Sequence, residues 1–201
     1  MSTKKRLFTN FISLASVQGL NFILPIITLP YLLQVVGPSK FGLISFAQAF
    51  IQYFIMFTDY GFNLVATKDI SLARDDKKKL STIFSTVMIV RTFLLCISFI
   101  VLILLVFFIP KFQKDISIYL ITFGMVIGNV LFPVWFFQGI EKMKVISILN
   151  IISKSIFTLG IFVFVNDKTQ YLYVPILNSL GYIVIGLIAI YIIVFQYKVQ
   201  F

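Results

Sequence analysis

The sequence predicts an all-α polytopic membrane protein, with six transmembrane helices in a single membrane domain over residues 1–201. Sixty per cent of its 201 residues are hydrophobic and only 12% are charged, whereas a soluble domain carries roughly 25% charged residues. The mean hydropathy is +1.03. Because a helix needs about 20 apolar residues to cross a bilayer, a chain of this length has room for six spans.

The apolar runs define where the spans lie. They predict helices at approximately 10–34, 42–66, 83–109, 117–139, 146–165 and 172–196. The first residues are charged and then apolar, as in a signal peptide, but the apolar run continues past Leu33 without an A-x-A-like cleavage site. We therefore interpret it as an uncleaved first span. Since proline removes a backbone hydrogen bond, Pro25 and Pro30 are expected to interrupt the first span and Pro133 the fourth.

Glycine, cysteine and histidine usage adds three constraints. Gly124 and Gly128 form a small-xxx-small pair of the kind that permits close helix contact. The single cysteine, Cys96, lies in an apolar run, so no disulfide framework is available. The chain has no histidine, and with no clustered cysteines or acids either we predict no metal site.

The net charge of +10 could indicate a nucleic-acid partner, but its distribution does not. The basic residues lie between apolar segments, which is typical of residues that set membrane topology. One side of the predicted membrane has Lys4, Lys5, Arg6, Lys68, Arg74, Lys77, Lys78, Lys79, Lys142, Lys144 and Lys198. The other has only Lys40, Lys111, Lys114 and Lys168. The positive-inside rule therefore predicts that both termini are cytoplasmic.

Three charged residues lie inside the predicted spans, where charges are costly and often functional. They are Asp59 in the second span, Arg91 in the third and Lys154 in the fifth. At a rise of 1.5 Å per residue, each is roughly 10–13 Å from the predicted cytoplasmic end of its span. We therefore expect the three side chains to share one layer of the membrane.

Uncharged polar residues accompany them at helical spacing. Gln48, Gln52 and Asp59 follow one stripe of the second span, and Asn150, Lys154 and Thr158 follow one stripe of the fifth. Further polar side chains are Gln18, Asn21, Asn129 and Asn178. A lipid-embedded bundle does not need this polarity, so the pattern indicates a hydrated cavity lined by several helices.

Two interpretations of the charged layer remain open. In the structural one, Asp59 pairs with Arg91 or Lys154, and the amides are interhelical hydrogen bonds. In the functional one, two cations against one acid leave a surplus positive charge that binds an anionic group. The sequence has no catalytic triad, no HExxH and no phosphate-binding glycine loop. We therefore predict a carrier and not an enzyme.

Two longer stretches carry a family resemblance. They are "VVGPSKFGLISFAQAFIQYFIMFTDYGFNLVATKDISLARDDKKKLS" (35–81) and "NVLFPVWFFQGIEKMKVISILNIISK" (129–154). Their distinctive residues are Gly37-Pro38, Phe41-Gly42-Leu43, Asp59-Tyr60-Gly61-Phe62, Trp135-Phe136-Phe137-Gln138-Gly139 and Glu141. In this order they resemble the O-antigen flippase family (Wzx) of lipid-linked oligosaccharide flippases, within the multidrug/oligosaccharidyl-lipid/polysaccharide exporter superfamily.

The resemblance implies flipping of undecaprenyl-pyrophosphate-linked oligosaccharide repeat units across the bacterial cytoplasmic membrane, by alternating access. It makes Arg91 and Lys154, with Asn150 and Asn129, candidates for substrate binding. It makes Asp59, Gln52 and Gln48 candidates for ion coupling or gating. No cofactor is expected beyond coupling to H⁺ or Na⁺. The implied partners are the lipid-linked oligosaccharide, the membrane, and polysaccharide polymerase and glycosyltransferases.

Family members resemble a pair of six-helix lobes, and this sequence matches the first. We expect a partial or truncated reading frame, with assembly of two copies as the alternative. Two other functions remain open: a cation-coupled multidrug exporter of the same superfamily, and a non-transporting scaffold of the polysaccharide assembly machinery. The surplus of cations argues against the exporter, because a carrier of cationic drugs favours acidic and aromatic residues.

Overall fold

The computed structural model describes residue 19 and residues 23–199. Within these ranges every regular element is a helix and there is no strand. Five helical segments are long and apolar enough to cross a membrane, and Ile23–Val35 is a shorter apolar helix. The prediction of an all-α polytopic membrane protein is confirmed. The rest of the first predicted span, including Gln18 and Asn21, lies outside the described residues.

The helices follow one another with short connections. In chain order they are α1 (Ile23–Val35), α2 (Gly37–Asp59), α3 (Phe62–Leu72), α4 (Lys77–Phe108), α5 (Pro110–Gln113), α6 (Ile116–Thr122), α7 (Gly124–Leu131), α8 (Val134–Gly139), α9 (Met143–Phe164) and α10 (Tyr173–Tyr191). A 3₁₀ turn (Lys168–Leu172) precedes α10 and a π-helical turn (Ile192–Gln196) follows it. The five long segments are Gly37–Leu72, Lys77–Phe108, Ile116–Gly139, Met143–Phe164 and Lys168–Gln196.

Two of these segments are interrupted within their length. The run predicted as a single helix over 42–66 breaks between α2 and α3, where Tyr60 (φ +34°) and Gly61 (φ +81°) both adopt left-handed backbone conformations. Glycine favours that region, so Gly61 is the residue that permits the break. The segment Ile116–Gly139 breaks between α7 and α8 at Phe132 and Pro133, as predicted for Pro133.

The apolar core forms two clusters. The first joins α1, α2, the second half of α4, α5, α6, the first half of α7, the end of α9 and the start of α10, and it includes Leu32, Ile51, Leu102, Tyr119 and Val126. The second joins α3, the first half of α4, α8, the start of α9 and the end of α10, and it includes Ile70, Phe84, Trp135, Phe136 and Ala189. Along α2–α3, α4 and α7–α8, the polar residue Asp59, Arg91 or Asn129, respectively, lies between the residues of the first cluster and those of the second.

Helices α7 and α10 approach each other most closely at a glycine. A Cβ atom added to Gly128 would lie 2.4 Å from the backbone carbon of Tyr182 and 2.6 Å from the backbone nitrogen of Ile183. At Gly124 the neighbour is the side chain of Ser179, 2.7 Å from such a Cβ. The small-xxx-small pair therefore does bring two helices into close contact.

Asp76 caps the first turn of α4, and this gives a pH prediction. Its carboxylate accepts hydrogen bonds from the backbone N–H groups of Lys78 and Lys79, both at 3.1 Å. The bond from Lys79 is the main reason that the pKa of Asp76 lies below its ordinary value of 3.8. Because folding lowers this pKa, the stabilisation is present above the unfolded-state pKa and is lost as the pH falls through the folded-state value.

We therefore expect Asp76→Ala to speed hydrogen exchange at the amides of Lys78 and Lys79 several-fold at neutral pH. Asp76→Asn is the matched control, since asparagine also caps helices well, and it should retain most of the protection. In the native protein, protection factors of these two amides should decline as the pH is lowered below about 4. Equal exchange in both variants would contradict the capping role.

Candidate functional site: a buried bridge and a cationic cavity

Arg91 joins three helices through one nitrogen. Its Nη2 donates to Asp59 Oδ1 at 2.5 Å, to Asn129 Oδ1 at 2.8 Å and to the backbone oxygen of Asn129 at 3.3 Å. Asp59 is the last residue of α2, and Asn129 lies in the last turn of α7. We call these three residues the Asp59–Arg91–Asn129 bridge.

The bridge is unequally buried. The Arg91 side chain is 2% exposed, and that of Asp59 is 26% exposed. The second carboxylate oxygen of Asp59 accepts a weaker bond from Asn63 Nδ2, at 3.3 Å. The Nε of Arg91 is buried and has no hydrogen-bond partner within the described residues. Because a buried charge is stable only when paired, Asp59 is what allows Arg91 to lie here.

Lys154 lies in a separate cavity of about 200 Å³ between α1, α9 and α10. The polar side chains that line the cavity are Thr28, Asn150, Ser153, Lys154, Thr158 and Asn178. Phe157 and Tyr182 contribute aromatic surface. Helices α9 and α10, which contribute most of these residues, belong to segments long and apolar enough to cross a membrane, and Thr28 comes from the shorter apolar helix α1.

The two cations differ in their neutralisation. Among the described residues Lys154 makes no ion pair, whereas Arg91 is paired with Asp59. The sequence left open whether Asp59 pairs with Arg91 or with Lys154, and in the structure it pairs with Arg91. Lys154 is left as the source of surplus positive charge in the spans that the structure describes.

The structure divides the predicted site residues into three groups. Asp59, Arg91 and Asn129 meet in the bridge, and Asn150 and Lys154 meet in the cavity. Gln52 and Gln48 lie about two and three turns before Asp59 on α2, where Gln48 is half-buried and Gln52 is exposed. They are not partners of Arg91.

Sequence reasoning missed two cavity residues, Thr28 and Ser153. Thr28 turns its hydroxyl to the α1 backbone, donating to the oxygen of Leu24 at 3.0 Å. Ser153 is buried, and a Cβ added to Gly181 of α10 would lie 2.8 Å from its Oγ. The spacing of Asn150, Ser153 and Lys154 (i, i+3, i+4) was a usable signal, because such residues share one helix face.

Fold and site together define a polytopic α-helical membrane protein with a cationic cavity within its spans. The chain belongs to the family described as "Polysaccharide biosynthesis protein", which matches residues 7–201. The family resemblance predicted from the two motif stretches is confirmed.

Two curated relatives, both named "Putative O-antigen transporter", are similar to this chain. The one from Escherichia coli (strain K12) is 39% identical over 197 residues, covering 98% of this chain and 48% of the relative. The one from Shigella dysenteriae is 27% identical over 184 residues, covering 92% of this chain and 46% of the relative. The chain thus spans about half the length of the curated relatives it matches. No solved structure matches it.

Proposed function

We propose that this chain forms one six-helix lobe of a transporter that moves oligosaccharide repeat units for O-antigen or capsular polysaccharide across the cytoplasmic membrane. The substrate is a repeat unit linked to undecaprenyl pyrophosphate, and it moves to the periplasmic leaflet without a change in its covalent bonds. Family membership and the names of the two relatives support the polysaccharide assignment. Polysaccharide polymerase and glycosyltransferases are the expected protein partners.

The observation that carries this proposal is the unpaired Lys154 in its polar cavity. An ammonium group in a site of low dielectric binds a phosphate oxygen strongly, because charge-assisted hydrogen bonds exceed neutral ones. Asn150 and Asn178 offer both donors and acceptors, which suits sugar hydroxyl and acetamido groups. A cavity of about 200 Å³ holds only the pyrophosphate or one sugar, so the rest of the substrate extends beyond it.

In this proposal the bridge has a different task from the cavity. Arg91 is already neutralised by Asp59 and is buried, so direct contact with pyrophosphate falls to Lys154. Asp59 is one-quarter exposed and is the group through which H⁺ or Na⁺ coupling would act. Gln48 and Gln52 continue the same polar stripe along α2 and support hydration of Asp59. The charge distribution supports cytoplasmic termini, and alternating access is what the family resemblance implies.

A chimera tests the proposal directly. This chain replaces the matching segment of the Escherichia coli relative, in a strain that lacks that transporter, and surface polysaccharide is measured. We expect the chimera to restore it, and Lys154→Gln to lower the transport rate by about 10–100-fold, the equivalent of a charged hydrogen bond worth about 1.5–3 kcal/mol. Lys154→Arg should retain most activity.

Lys114→Gln is the matched control, since Lys114 is an exposed lysine at the α5–α6 turn, and it should behave as the unmodified chimera. Normal transport by a correctly inserted Lys154→Gln chimera would overturn the role of the cavity. If the chimera instead restores export of cationic drugs but no polysaccharide, the multidrug-exporter alternative is correct.

A further inference from the structure

We propose that α3 and α8 move as one unit about the two helix breaks, and that the Asp59–Arg91–Asn129 bridge locks that unit in its resting position. This motion is a property of the helices themselves and holds whatever solute the protein carries.

Helices α3 and α8 are joined by close backbone contact. The hydroxyl of Thr67 lies 3.3 Å from the backbone oxygen of Trp135 and 3.3 Å from Gln138 Oε1. A Cβ added to Gly139 would lie 2.5 Å from Ile70 Cγ2 and 2.9 Å from the backbone oxygen of Thr67, so α3 packs directly on the backbone of Gly139. Such contacts resist sliding of one helix against the other.

An ion pair extends this unit to the turns that follow each helix. Arg74, after α3, donates from Nη2 to the backbone oxygen of Gly139 at 3.0 Å and lies 3.0 Å from Glu141 Oε1. Both ends of the α3–α8 unit are therefore linked, and the unit ends in exposed connections.

The chain is interrupted where each of these helices begins. Tyr60 and Gly61 separate α2 from α3, and Phe132 and Pro133 separate α7 from α8. At each break the continuous i to i−4 hydrogen-bond ladder is lost, which is the usual location of helix bending. By contrast, α4 runs for 32 residues without a break.

Arg91 lies in that unbroken helix and holds the residues just before both breaks. Asp59 immediately precedes Tyr60, and Asn129 precedes Phe132 by three residues. Asn63, in the first turn of α3, bonds to the same carboxylate from beyond the break. One guanidinium thus fixes the ends of α2 and α7, and through Asp59 the beginning of α3.

The division of the apolar core into two clusters agrees with bending at these two breaks. The bridge lies along the chain between the first and second apolar clusters, and the α3–α8 unit belongs wholly to the second. The second cluster also includes Phe84 of α4, whose ring packs against Trp135 and Phe136 of α8. Bending at the breaks therefore shifts the unit against the first half of α4, and the bridge is the polar contact that opposes this motion.

Distances between spin labels test the lock in this chain reconstituted in lipid nanodiscs, with Cys96 replaced by Ser. One label pair joins Leu72, an exposed residue at the end of α3, to Ile100, an exposed residue of α4 in the segment of the first cluster. At 1.5 Å per residue Leu72 lies about 16 Å from the break, so a tilt of about 20° moves it by about 6 Å.

We expect Arg91→Gln and Asn129→Leu each to shift or broaden this distribution by several ångströms. Asn129→Leu keeps the ion pair, and so it tests the lock even if Arg91→Gln does not fold. A second pair, Leu72 with the exposed Lys142, should keep its distance in all variants, because both lie on the α3–α8 unit. Lys114→Gln, at an exposed lysine outside the unit, is the control and should leave the Leu72–Ile100 distance unchanged.

Two results would overturn the proposal. One is a Leu72–Ile100 distance that stays the same in the folded Asn129→Leu variant and in any folded Arg91→Gln variant. The other is a Leu72–Lys142 distance that changes together with it, since α3 and α8 would then move separately.

Discussion

Replacing Asp59 by Ala should destabilise the chain by about 3–5 kcal/mol, the typical cost of leaving a buried charge without its partner. The reason is the position of Arg91, whose side chain is 2% exposed and whose Nε has no partner in the part of the chain that the structure describes. Without the carboxylate, Asn129 is the one hydrogen-bond partner left to the guanidinium among the residues that the structure describes. Asp59→Asn should cost less, since its amide oxygen can still accept a hydrogen bond.

The free energy of unfolding, measured by SDS titration in mixed micelles, checks this prediction. The matched control is Glu141→Ala, which breaks the ion pair with Arg74 whose side chains are 39% and 73% exposed. An exposed pair contributes about 0–1 kcal/mol, so this variant should remain close to the native protein. Equal losses for Asp59→Ala and Glu141→Ala would show that burial of Arg91 does not set the cost.

A double-variant measurement separates the pair from its members. Arg91→Met combined with Asp59→Ala removes both charges, and we expect it to be more stable than Asp59→Ala alone. Replacing a whole buried pair by apolar groups is often neutral or even stabilising, whereas removing one partner is not. A double variant less stable than Asp59→Ala would assign the loss to packing around Arg91 and not to its charge.

The sequence alone was enough to predict the fold class and to identify the charged residues within the spans. Long apolar runs are decisive for membrane helices, because the bilayer imposes one length and one polarity on all of them. The same rule made Asp59, Arg91 and Lys154 conspicuous, since each violates that polarity. Their sorting into a bridge and a cavity depends on which helices are neighbours, and hydropathy carries no information about that.

The break between α2 and α3 was missed for a related reason. Hydropathy remains high across Tyr60 and Gly61, so the second span looks continuous, yet a glycine after a polar residue is a frequent helix end. In the structure the two motif stretches are in contact. The break between α2 and α3 falls in the first motif, Asp59-Tyr60-Gly61-Phe62. Helix α8 contains the second motif, Trp135-Phe136-Phe137-Gln138-Gly139, and packs against α3. Glu141 then pairs with Arg74.

Gly128→Ala is expected to destabilise the chain by about 1–3 kcal/mol, the usual cost of inserting a methyl group into a packed interface. The new Cβ would lie 2.4 Å and 2.6 Å from backbone atoms of Tyr182 and Ile183. Backbone atoms cannot turn aside as a side chain can, so α7 and α10 must separate. Membrane helices associate largely through such close packing, so little else would hold α7 and α10 together if this contact were lost.

Gly42→Ala is the matched control for this substitution. Gly42 also lies inside a helix, α2, but beyond the backbone of that helix no atom of the described residues lies within 4 Å of its added Cβ. Alanine is favoured over glycine in a helix by about 0.8–1 kcal/mol, so this variant should be unchanged or slightly more stable. The same SDS titration compares the two. If Gly128→Ala were as stable as Gly42→Ala, the α7–α10 contact would have to be looser than the backbone distances indicate, and the small-xxx-small pair would have no structural role.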